Sequence, residues 1–494
     1  MEMSHEISID DKIIKLKHHT IRNIGIVVLR KSITKLIYVL RGIILARLLR
    51  PEDFGIVGIV MTLLSLLRVF GMMGIDSAII YEKDEQSGAF KNGFILAIIF
   101  STIMSAVMVC FAPMWGKFYH DNKIINVTRV TSFIMFLSPY HLIPLAKLQK
   151  KLQFKKIILP EISADFIGMV VAVILAIEHF KYWSLLWGVF ARQVALVIGF
   201  YLTEPWTLTP NINKYICSKL LKYSKHIFIV DLLAFAIINL DNIIIGKVVG
   251  LSALGAYLVA YQWSASMPKS VVTVLGTVTF PTYSLIREDI NKLQMGFLNI
   301  LKYSAVAVFA ISFGILAIAP EFVDNVLGEK WHTAIIPLQI LTFMGLCRAF
   351  ANQCSKLFNA LGRPDITAKV SIGMLSSMVI LLPLMTKYFH IIGASIAIVV
   401  CGLAWYGIVF VNMLRKMFGI KLIDIWQQIA ISFYSSLLMV FTILVIKKFL
   451  HPYMVQHGIL YVIILISIGA IVYSVPIICK MRHELKNILY ILIR

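Results

Sequence analysis

The chain has 494 residues, of which 59% are apolar and only 15% are charged. Soluble globular proteins contain about 45 to 50% apolar and about 25% charged residues, so a string of water-soluble domains is excluded and a lipid bilayer is the expected solvent. Lysine and arginine total 47 against 25 aspartate and glutamate residues, a net charge of +22. In a membrane protein this excess is expected on loops that face anionic lipid, and no nucleic-acid partner is predicted.

Apolar stretches of about 20 residues, long enough to cross a bilayer as helices, recur along the chain. We predict fourteen transmembrane helices, at residues 24–46, 55–80, 93–115, 127–146, 162–178, 182–203, 225–249, 255–283, 297–319, 334–358, 367–386, 391–413, 428–446 and 459–479. The predicted fold class is therefore an all-α integral membrane protein. Basic residues are concentrated in alternate loops, and the positive-inside rule then predicts that both termini are cytoplasmic. The polar N-terminus lacks the features of a cleavable signal peptide.

An internal repeat relates the two halves of the chain. Ile44–Gly55 reads ILARLLRPEDFG, and 200 positions later Ile244–Gly255 reads IIGKVVGLSALG. Both segments join an odd-numbered helix to the next one, so six-helix lobes inserted with the same orientation are predicted, as in transporters built from parallel repeats. The predicted regions are a cytoplasmic tail (1–23), an N-lobe with helices 1 to 6 (24–203), a cytoplasmic linker (204–224), a C-lobe with helices 7 to 12 (225–413), helices 13 and 14 (428–479) and a cytoplasmic C-terminal tail (480–494).

Charged residues occur inside the predicted spans, where each unpaired charge costs about 2.5 to 3.5 kcal/mol. By position along the spans, the layer at mid-membrane is exclusively basic and consists of Arg68, Arg192, Lys269 and Arg348. Four cations at one depth cannot neutralise one another, so they are predicted to face a hydrated cavity and to bind an anionic substrate. Arg68 and Lys269 are the first candidates because the repeat places both halfway along the second helix of a lobe. Snorkelling or an ion pair within the bundle is the alternative.

The two helices that carry these first candidates also carry polar stripes. At about 100° per residue, the polar positions of each helix fall on one face. The stripe of helix 2 contains Thr62, Ser65, Arg68 and Asp76, and the stripe of helix 8 contains Gln262, Ser266, Lys269, Thr273 and Thr277. These stripes are predicted to line a positively charged cavity between the lobes.

Four charged residues lie nearer the ends of their spans. Arg41 and Asp241 are related by the 200-residue offset and lie toward the outer side, so an ion pair that ties the lobes together is predicted. Asp76 and Asp231 lie toward the inner side. They are predicted either to pair with Lys35 or Lys31 or to serve as coupling sites for a proton or cation.

The motifs of enzymes and metalloproteins are missing from the sequence. It contains no G-x-x-x-x-G-K-S/T phosphate-binding loop and no usable His-x-x-x-His pair. Its six cysteines are scattered through apolar runs and are predicted to be small buried hydrophobic residues. We therefore predict that the protein is not an enzyme and has no metal or other cofactor.

Several segments resemble polysaccharide flippases. They are ILARLLRPEDFGIVGI, DNIIIGKVVGLSALGAYLVAYQ, GTVTFPTYSLIRED, APEFVDNVLGEKW and NALGRPD, and the resemblance extends over about residues 20–420. The family belongs to the multidrug/oligosaccharidyl-lipid/polysaccharide superfamily, and the branch that the chain resembles is the Wzx-type colanic acid or teichuronic acid exporter.

The resemblance implies a two-lobed bundle that moves an undecaprenyl-pyrophosphate-linked oligosaccharide across the bacterial inner membrane by alternating access. Such a carrier supplies precursors of lipopolysaccharide or exopolysaccharide, with polysaccharide polymerase and assembly proteins as further partners. Cations would hold the pyrophosphate, while hydroxyl and amide groups would hold the sugars. Three alternatives stay open: a cation or drug antiporter of the same superfamily, a membrane-embedded polysaccharide polymerase or ligase, and a structural scaffold.

Overall fold

The computed structural model describes residues 30–82, 88–151, 153–206, 212–265, 267–268, 272, 283, 289–454 and 458–493. Every regular element within these ranges is a helix. A helix satisfies its backbone hydrogen bonds within one segment, which is required where no water is present. The prediction of an all-α integral membrane protein is confirmed.

The α-helices are numbered in chain order. They are α1 (30–48), α2 (Pro51–Met72), α3 (Ile75–Tyr81), α4 (Ala89–Tyr119), α5 (Lys123–Leu137), α6 (Pro139–Lys150), α7 (Phe154–Ile177), α8 (Tyr182–Thr203), α9 (Lys214–Val248), α10 (Leu251–Ser264), α11 (Ile290–Glu321), α12 (Ile335–Ala360), α13 (Pro364–Gly402), α14 (Phe410–Phe418), α15 (Leu422–Met454) and α16 (Gly458–Ile493). Short π-helical segments follow α11 (Phe322–Leu327) and α13 (Leu403–Val409), and a 3-10 helix (Glu329–Ala334) precedes α12.

Ten helical segments among the described residues are long and apolar enough to cross a membrane. The longest, Pro364–Phe418, contains 55 residues and is interrupted at His390, where φ is 51° and ψ is −136°. The spans predicted at 367–386 and 391–413 lie on either side of this break. The count of fourteen spans stays a prediction, because the first and eighth spans include residues outside the described ranges.

The second predicted span, 55–80, is divided into two helices. Met73 and Gly74 both have positive φ, at 45° and 71°, and α2 ends immediately before them. A Cβ atom at Gly74 would lie 2.7 Å from the Ile227 side chain, so the backbone turns where only a glycine fits. Because the periodicity of one helix does not continue across the turn, Asp76 on α3 does not belong to the same stripe as Thr62 and Arg68 on α2.

The described chain packs into two compact units. The first contains residues up to Leu45 together with Leu64–Ala112 and Asn126–Asp231, and the second contains Ala46–Leu63, Pro113–Ile125 and Leu232 onward. In the first unit, α7 and α8 pack along their lengths. In the second, α11, α12, α14 and α15 surround an aromatic core that contains Phe297, Phe358, Phe410 and Phe418. The predicted lobe boundaries stay a prediction.

The repeat is visible as a symmetrical helix crossing inside the second unit. A Cβ atom at Gly55 would lie 1.8 Å from the Leu251 carbonyl oxygen, and one at Gly255 would lie 1.8 Å from the Pro51 carbonyl oxygen. Each glycine therefore lets α2 and α10 approach to backbone contact. Both residue pairs obey the 200-residue offset, so the aligned segments occupy equivalent positions at this crossing.

Candidate functional site

The first charged cluster lies on the α7–α8 hairpin, in the first unit. Gly168 and Gly188 face each other so closely that a Cβ atom on either would lie 2.8 Å from the carbonyl oxygen of the other. This approach brings Asp165 on α7 beside Arg192 on α8, whose Nε donates a 2.6 Å hydrogen bond to Asp165 Oδ1. The second carboxylate oxygen, Oδ2, is buried and has no hydrogen-bond partner among the described residues.

Two more arginines belong to this cluster. The charge of Arg192 acts on both Arg41 and Arg68. Arg68 is held by a 3.4 Å hydrogen bond from its terminal nitrogen to Ser138 Oγ, at the junction of α5 and α6. Its Nε is buried without a partner in the described part of the chain. Asp165 is bonded to Arg192 and lies near Arg41, and Arg68 is the third guanidinium beside Arg192, so the cluster carries excess positive charge.

Neutral and paired groups surround the arginines. His141 Nδ1 and Gln193 Nε2, both buried, are 2.9 Å apart. Glu161, one turn before Asp165, forms a 2.8 Å salt bridge with Arg30. Glu161 also lies near Arg192, Asp165 and Lys31, so it belongs to the same cluster, in which the cations still outnumber the two carboxylates.

The structure corrects the prediction that the mid-membrane layer is exclusively basic. Asp165 stood at the edge of the span predicted at 162–178, but α7 begins at Phe154 and places Asp165 in the middle of the helix. Asp165 was already inside the predicted span, so its carboxylate was the signal that could have revealed a partner for Arg192.

The second charged cluster lies in the second unit, around Asp241 on α9. Its side chain is 1% exposed. Tyr257 donates a 2.7 Å hydrogen bond from its hydroxyl to Asp241 Oδ2, and the Asn242 backbone N–H donates to Oδ1 at 2.9 Å. The Asn242 side chain in turn donates to Thr62 Oγ1 at 3.5 Å. The carboxylate is therefore satisfied by neutral donors.

Arg348 on α12 is the cation of this second cluster. Its guanidinium carbon lies 5.0 Å from the centre of the Tyr261 ring, within the range of a cation–π interaction. Its charge acts on Asp241 and Tyr257, but it forms no salt bridge with the described residues. Its positive charge is therefore not balanced by a bonded carboxylate in the described part of the chain.

The remaining predicted site residues are distributed as follows. Thr62 is buried, Ser65 is exposed and Gln262 is half-buried, whereas Lys269, Ser266, Thr273 and Thr277 lie outside the described residues. Arg41 lies beside Arg192 and Asp165 in the first unit, Asp241 accepts a hydrogen bond from Tyr257 in the second, and the Arg41–Asp241 ion pair stays a prediction. The charge of Asp76 acts on Asp231. Lys31 instead lies beside Arg30 and Glu161, and Lys35 lies 5.0 Å from the Tyr38 ring centre.

Two cations at equivalent positions of the repeat, Arg47 and Lys247, cap helix ends in the second unit. The sequence analysis had assigned no role to either residue. Arg47 Nε donates to the Val326 carbonyl oxygen at 2.7 Å and its terminal nitrogen donates to that of Asn325. Lys247 Nζ donates to the Phe118 carbonyl oxygen at 2.6 Å. Because cations stabilise the C-terminal ends of helices, each residue fastens its own segment to the end of a helix from the other repeat.

Comparison with known proteins agrees with this architecture. The family model described as "Polysaccharide biosynthesis protein" matches residues 44–336. The chain is 23% identical to the lipopolysaccharide biosynthesis protein WzxC of Escherichia coli K12 over 335 residues, 67% of each chain. It is 25% identical to the succinoglycan biosynthesis transport protein ExoT of Rhizobium meliloti over 336 residues, 68% of this chain and 67% of that one.

A solved structure described as the lipid II flippase MurJ in an inward closed conformation has the same fold. The TM-score is 0.72 at 15% identity, and the match covers 92% of this chain and 99% of that one. The fold, the family model and the transport proteins among the relatives define the class as an all-helical, multi-pass membrane transporter, and the prediction that the protein is not an enzyme is confirmed. Since the family model matches more than half of its residues, the chain belongs to the polysaccharide biosynthesis protein family.

Proposed function

We propose that the protein moves an undecaprenyl-pyrophosphate-linked oligosaccharide, a precursor of a surface polysaccharide, from the inner to the outer leaflet of a bacterial inner membrane. Family membership supports a role in polysaccharide biosynthesis. One similar protein is named as a succinoglycan biosynthesis transport protein and one solved structure as a lipid II flippase, and a lipid-linked sugar with an anionic head is compatible with both names. In this proposal both termini are cytoplasmic, and polymerase and assembly proteins receive the product outside.

The excess of arginine in the first cluster is the observation that carries the proposal. Arg192 acts on both Arg41 and Arg68 within membrane-spanning helices, and Asp165 is the one carboxylate bonded to any of the three among the described residues. Such an excess costs about 2.5 to 3.5 kcal/mol for each unpaired charge. A pyrophosphate would supply the missing negative charge, since guanidinium and phosphate groups form paired, charge-assisted hydrogen bonds.

Individual roles follow from the two clusters. Arg68 and Lys269 are the first proposed contacts for the pyrophosphate, and Arg348 and Arg192 the second. The hydroxyl and amide side chains of Thr62, Ser65, Gln262, Ser266, Thr273 and Thr277 are proposed to bind the sugars. Asp76 and Asp231 are proposed to couple transport to a proton or cation, and Arg41 and Asp241 to support the two clusters from within each repeat.

Alternating access requires some contacts to break in every cycle. The glycine crossing between α2 and α10 and the helix caps of Arg47 and Lys247 join residues of both repeats. They lie at the ends predicted to face outward. In the proposed cycle these contacts open when the substrate leaves for the outer leaflet, and they form again when the cavity faces the cytoplasm.

The test is leaflet exchange of a labelled polyprenyl-pyrophosphate oligosaccharide in liposomes that contain the full chain. Arg68→Gln together with Arg348→Gln should slow the initial rate at least tenfold, because one cation is lost from each cluster. The matched control is Arg363→Gln, which removes a cation on an exposed helix connection, where Arg363 pairs with Asp365 at 2.9 Å. Its rate should stay within twofold. Unchanged exchange in the double variant would reject the assignment of the pyrophosphate site.

A cation antiporter of the same superfamily is the second candidate, and the buried Asp241 carboxylate favours it. The two functions make opposite predictions in the same liposomes. An antiporter would exchange a cationic drug for protons or sodium, and Asp241→Asn would abolish this exchange. A flippase would move the labelled glycolipid in the absence of any drug. Drug exchange without glycolipid movement would overturn the proposed function.

A further inference from the structure

A groove of about 590 Å³ lies in the first unit, where the first turns of α9 pass the start of α4. Three lysines, Lys214, Lys222 and Lys225, line it on the α9 side, and Ile95, Leu96 and Ile99 form its apolar wall on α4. Lys222 and Lys225 follow Lys214 by eight and eleven positions, which correspond to about two and three helical turns. The three lysines therefore lie on the same face of α9. The groove thus combines a row of ammonium groups with an apolar wall.

Packing holds the two walls in place. Asn92 on α4 accepts a 2.8 Å hydrogen bond from the Asn213 backbone N–H through its Oδ1, and its own Nδ2 donates to the Gly88 carbonyl oxygen at 3.0 Å. Leu220, on the opposite face of α9, is 2% exposed and packs against Ala78 and Ala89. The groove is therefore a fixed feature of the fold.

The groove lysines differ from their neighbour. Lys219 lies on another face of α9 and forms a 2.7 Å salt bridge with Glu82. Among the described residues, Lys214, Lys222 and Lys225 form no salt bridge. Like charges three residues apart on a helix, such as Lys222 and Lys225, repel each other. An anionic ligand would relieve this repulsion.

We propose that this groove binds an anionic phospholipid of the bilayer, with its phosphates on the three lysines and an acyl chain against Ile95 and Ile99. The positive-inside pattern predicts that this end of the protein faces the cytoplasmic leaflet, whose anionic lipids attract basic residues. Basic pockets between transmembrane helices on that side suit such headgroups. The site is separate from the arginine cluster and does not depend on the proposed transport function.

The length of the lysine row indicates the kind of headgroup. Eleven residues of α-helix rise by about 16 Å, so one phosphate cannot contact all three lysines. The two phosphates of a pyrophosphate share one bridging oxygen and are also too close together. Cardiolipin carries two phosphates separated by a glycerol and has apolar chains for the isoleucine wall, so it fits the row best.

The proposal is tested by titrating the purified full chain in detergent with cardiolipin and counting bound lipids by native mass spectrometry. The triple variant Lys214→Gln, Lys222→Gln, Lys225→Gln should bind cardiolipin about a hundredfold more weakly, as expected for three basic residues at an anionic surface. The control variant Lys155→Gln, Lys416→Gln, Lys421→Gln removes the same charge from exposed positions elsewhere and should stay within twofold. Phosphatidylcholine should bind all three proteins equally weakly.

A second variant separates a lipid site from a simple anion site. Ile99→Trp fills the apolar wall without changing charge, and it should weaken cardiolipin binding at least tenfold. Because Ile99 is 42% exposed, the larger side chain does not disturb the core, and this variant also serves if the triple variant does not fold. Equal cardiolipin binding by the triple and control variants would overturn the proposal. It would also fail if Ile99→Trp bound normally while inorganic pyrophosphate displaced the lipid, since the site would then recognise a free anion.

Discussion

The two charged clusters stabilise their arginines by different contacts. Arg192 donates directly to Asp165 at 2.6 Å, whereas Arg348 lies over the Tyr261 ring and leaves the nearby carboxylate of Asp241 to a tyrosine hydroxyl. A direct pair neutralises its arginine. A cation–π contact stabilises a cation without cancelling its charge. The comparison suggests that Arg192 serves mainly to organise its cluster, while Arg348 stays available to an anionic ligand.

Breaking the direct pair should have the largest effect. Asp165→Asn leaves the Arg192 guanidinium without its carboxylate, and removal of one partner from a buried pair costs several kcal/mol. The Arg192 side chain is 37% exposed, so we expect a smaller loss, about 2 to 3 kcal/mol of unfolding free energy. Thermal unfolding in detergent would measure it.

The matched control for this change is the double variant Asp165→Asn, Arg192→Gln. It removes both charges, and it should be at least 1 kcal/mol more stable than Asp165→Asn alone, because no uncompensated cation is left. If the double variant is no more stable than Asp165→Asn, the ion pair does not account for the stability of the α7–α8 hairpin.

Removing the neutral donor in the second cluster should have the next largest effect. Tyr257→Phe deletes the hydroxyl that donates to Asp241 Oδ2 at 2.7 Å and keeps the ring, so a buried carboxylate oxygen loses its partner. We expect a loss of about 1 to 2 kcal/mol. Asp241→Asn combined with Tyr257→Phe should recover part of it, since an amide is cheaper to bury than a carboxylate. A fully additive double variant would show that the two groups are not coupled.

The features that could be predicted from the sequence are those that repeat along it. The apolar runs predicted the helical membrane fold, and the 200-residue offset predicted which segments are equivalent. Gly55 and Gly255 show why: a backbone contact across the repeat tolerates no side chain, so both positions must be glycine.

Contacts between distant positions could not be predicted in this way. The hydrogen bond from Tyr257 to Asp241 was not predicted, because Tyr257 lies 16 positions onward, across the turn between α9 and α10. Neutral hydrogen-bond donors can satisfy a buried carboxylate without an opposite charge. A search of the sequence for oppositely charged partners therefore did not find Tyr257. The break at Met73 was also missed, because the apolar pattern continues through it.

The cation–π contact of Arg348 can be tested by changing its aromatic partner. Tyr261→Leu removes the ring and should cost about 0.5 to 1 kcal/mol of stability, the usual contribution of a cation–π contact that is not fully desolvated. Tyr261→Phe is the control. It keeps the ring face, and the lost hydroxyl has no hydrogen-bond partner among the described residues, so its unfolding temperature should match the parent. If both variants lose the same stability, the ring face is not what holds Arg348.

An ion pair outside the membrane should contribute the least stability, and it provides the reference for the three contacts within membrane-spanning helices. Glu204 follows α8 and accepts a 2.6 Å contact from Lys147 Nζ; the hydrogen bond from Lys147 lowers the pKa of Glu204 below its usual value of 4.5. Glu204→Gln should cost less than about 1 kcal/mol at pH 7, since both side chains are partly exposed and water weakens their attraction. A lowered carboxyl pKa stabilises the folded state above the unfolded pKa of about 4.3, and this stabilisation is lost as the pH falls through the folded pKa. The difference in unfolding temperature between the parent and Glu204→Gln should therefore be constant from pH 7 to about pH 5 and shrink below about pH 4. A difference that grows on acidification would contradict the assignment of this pair, because it would require the Glu204 pKa to be raised on folding.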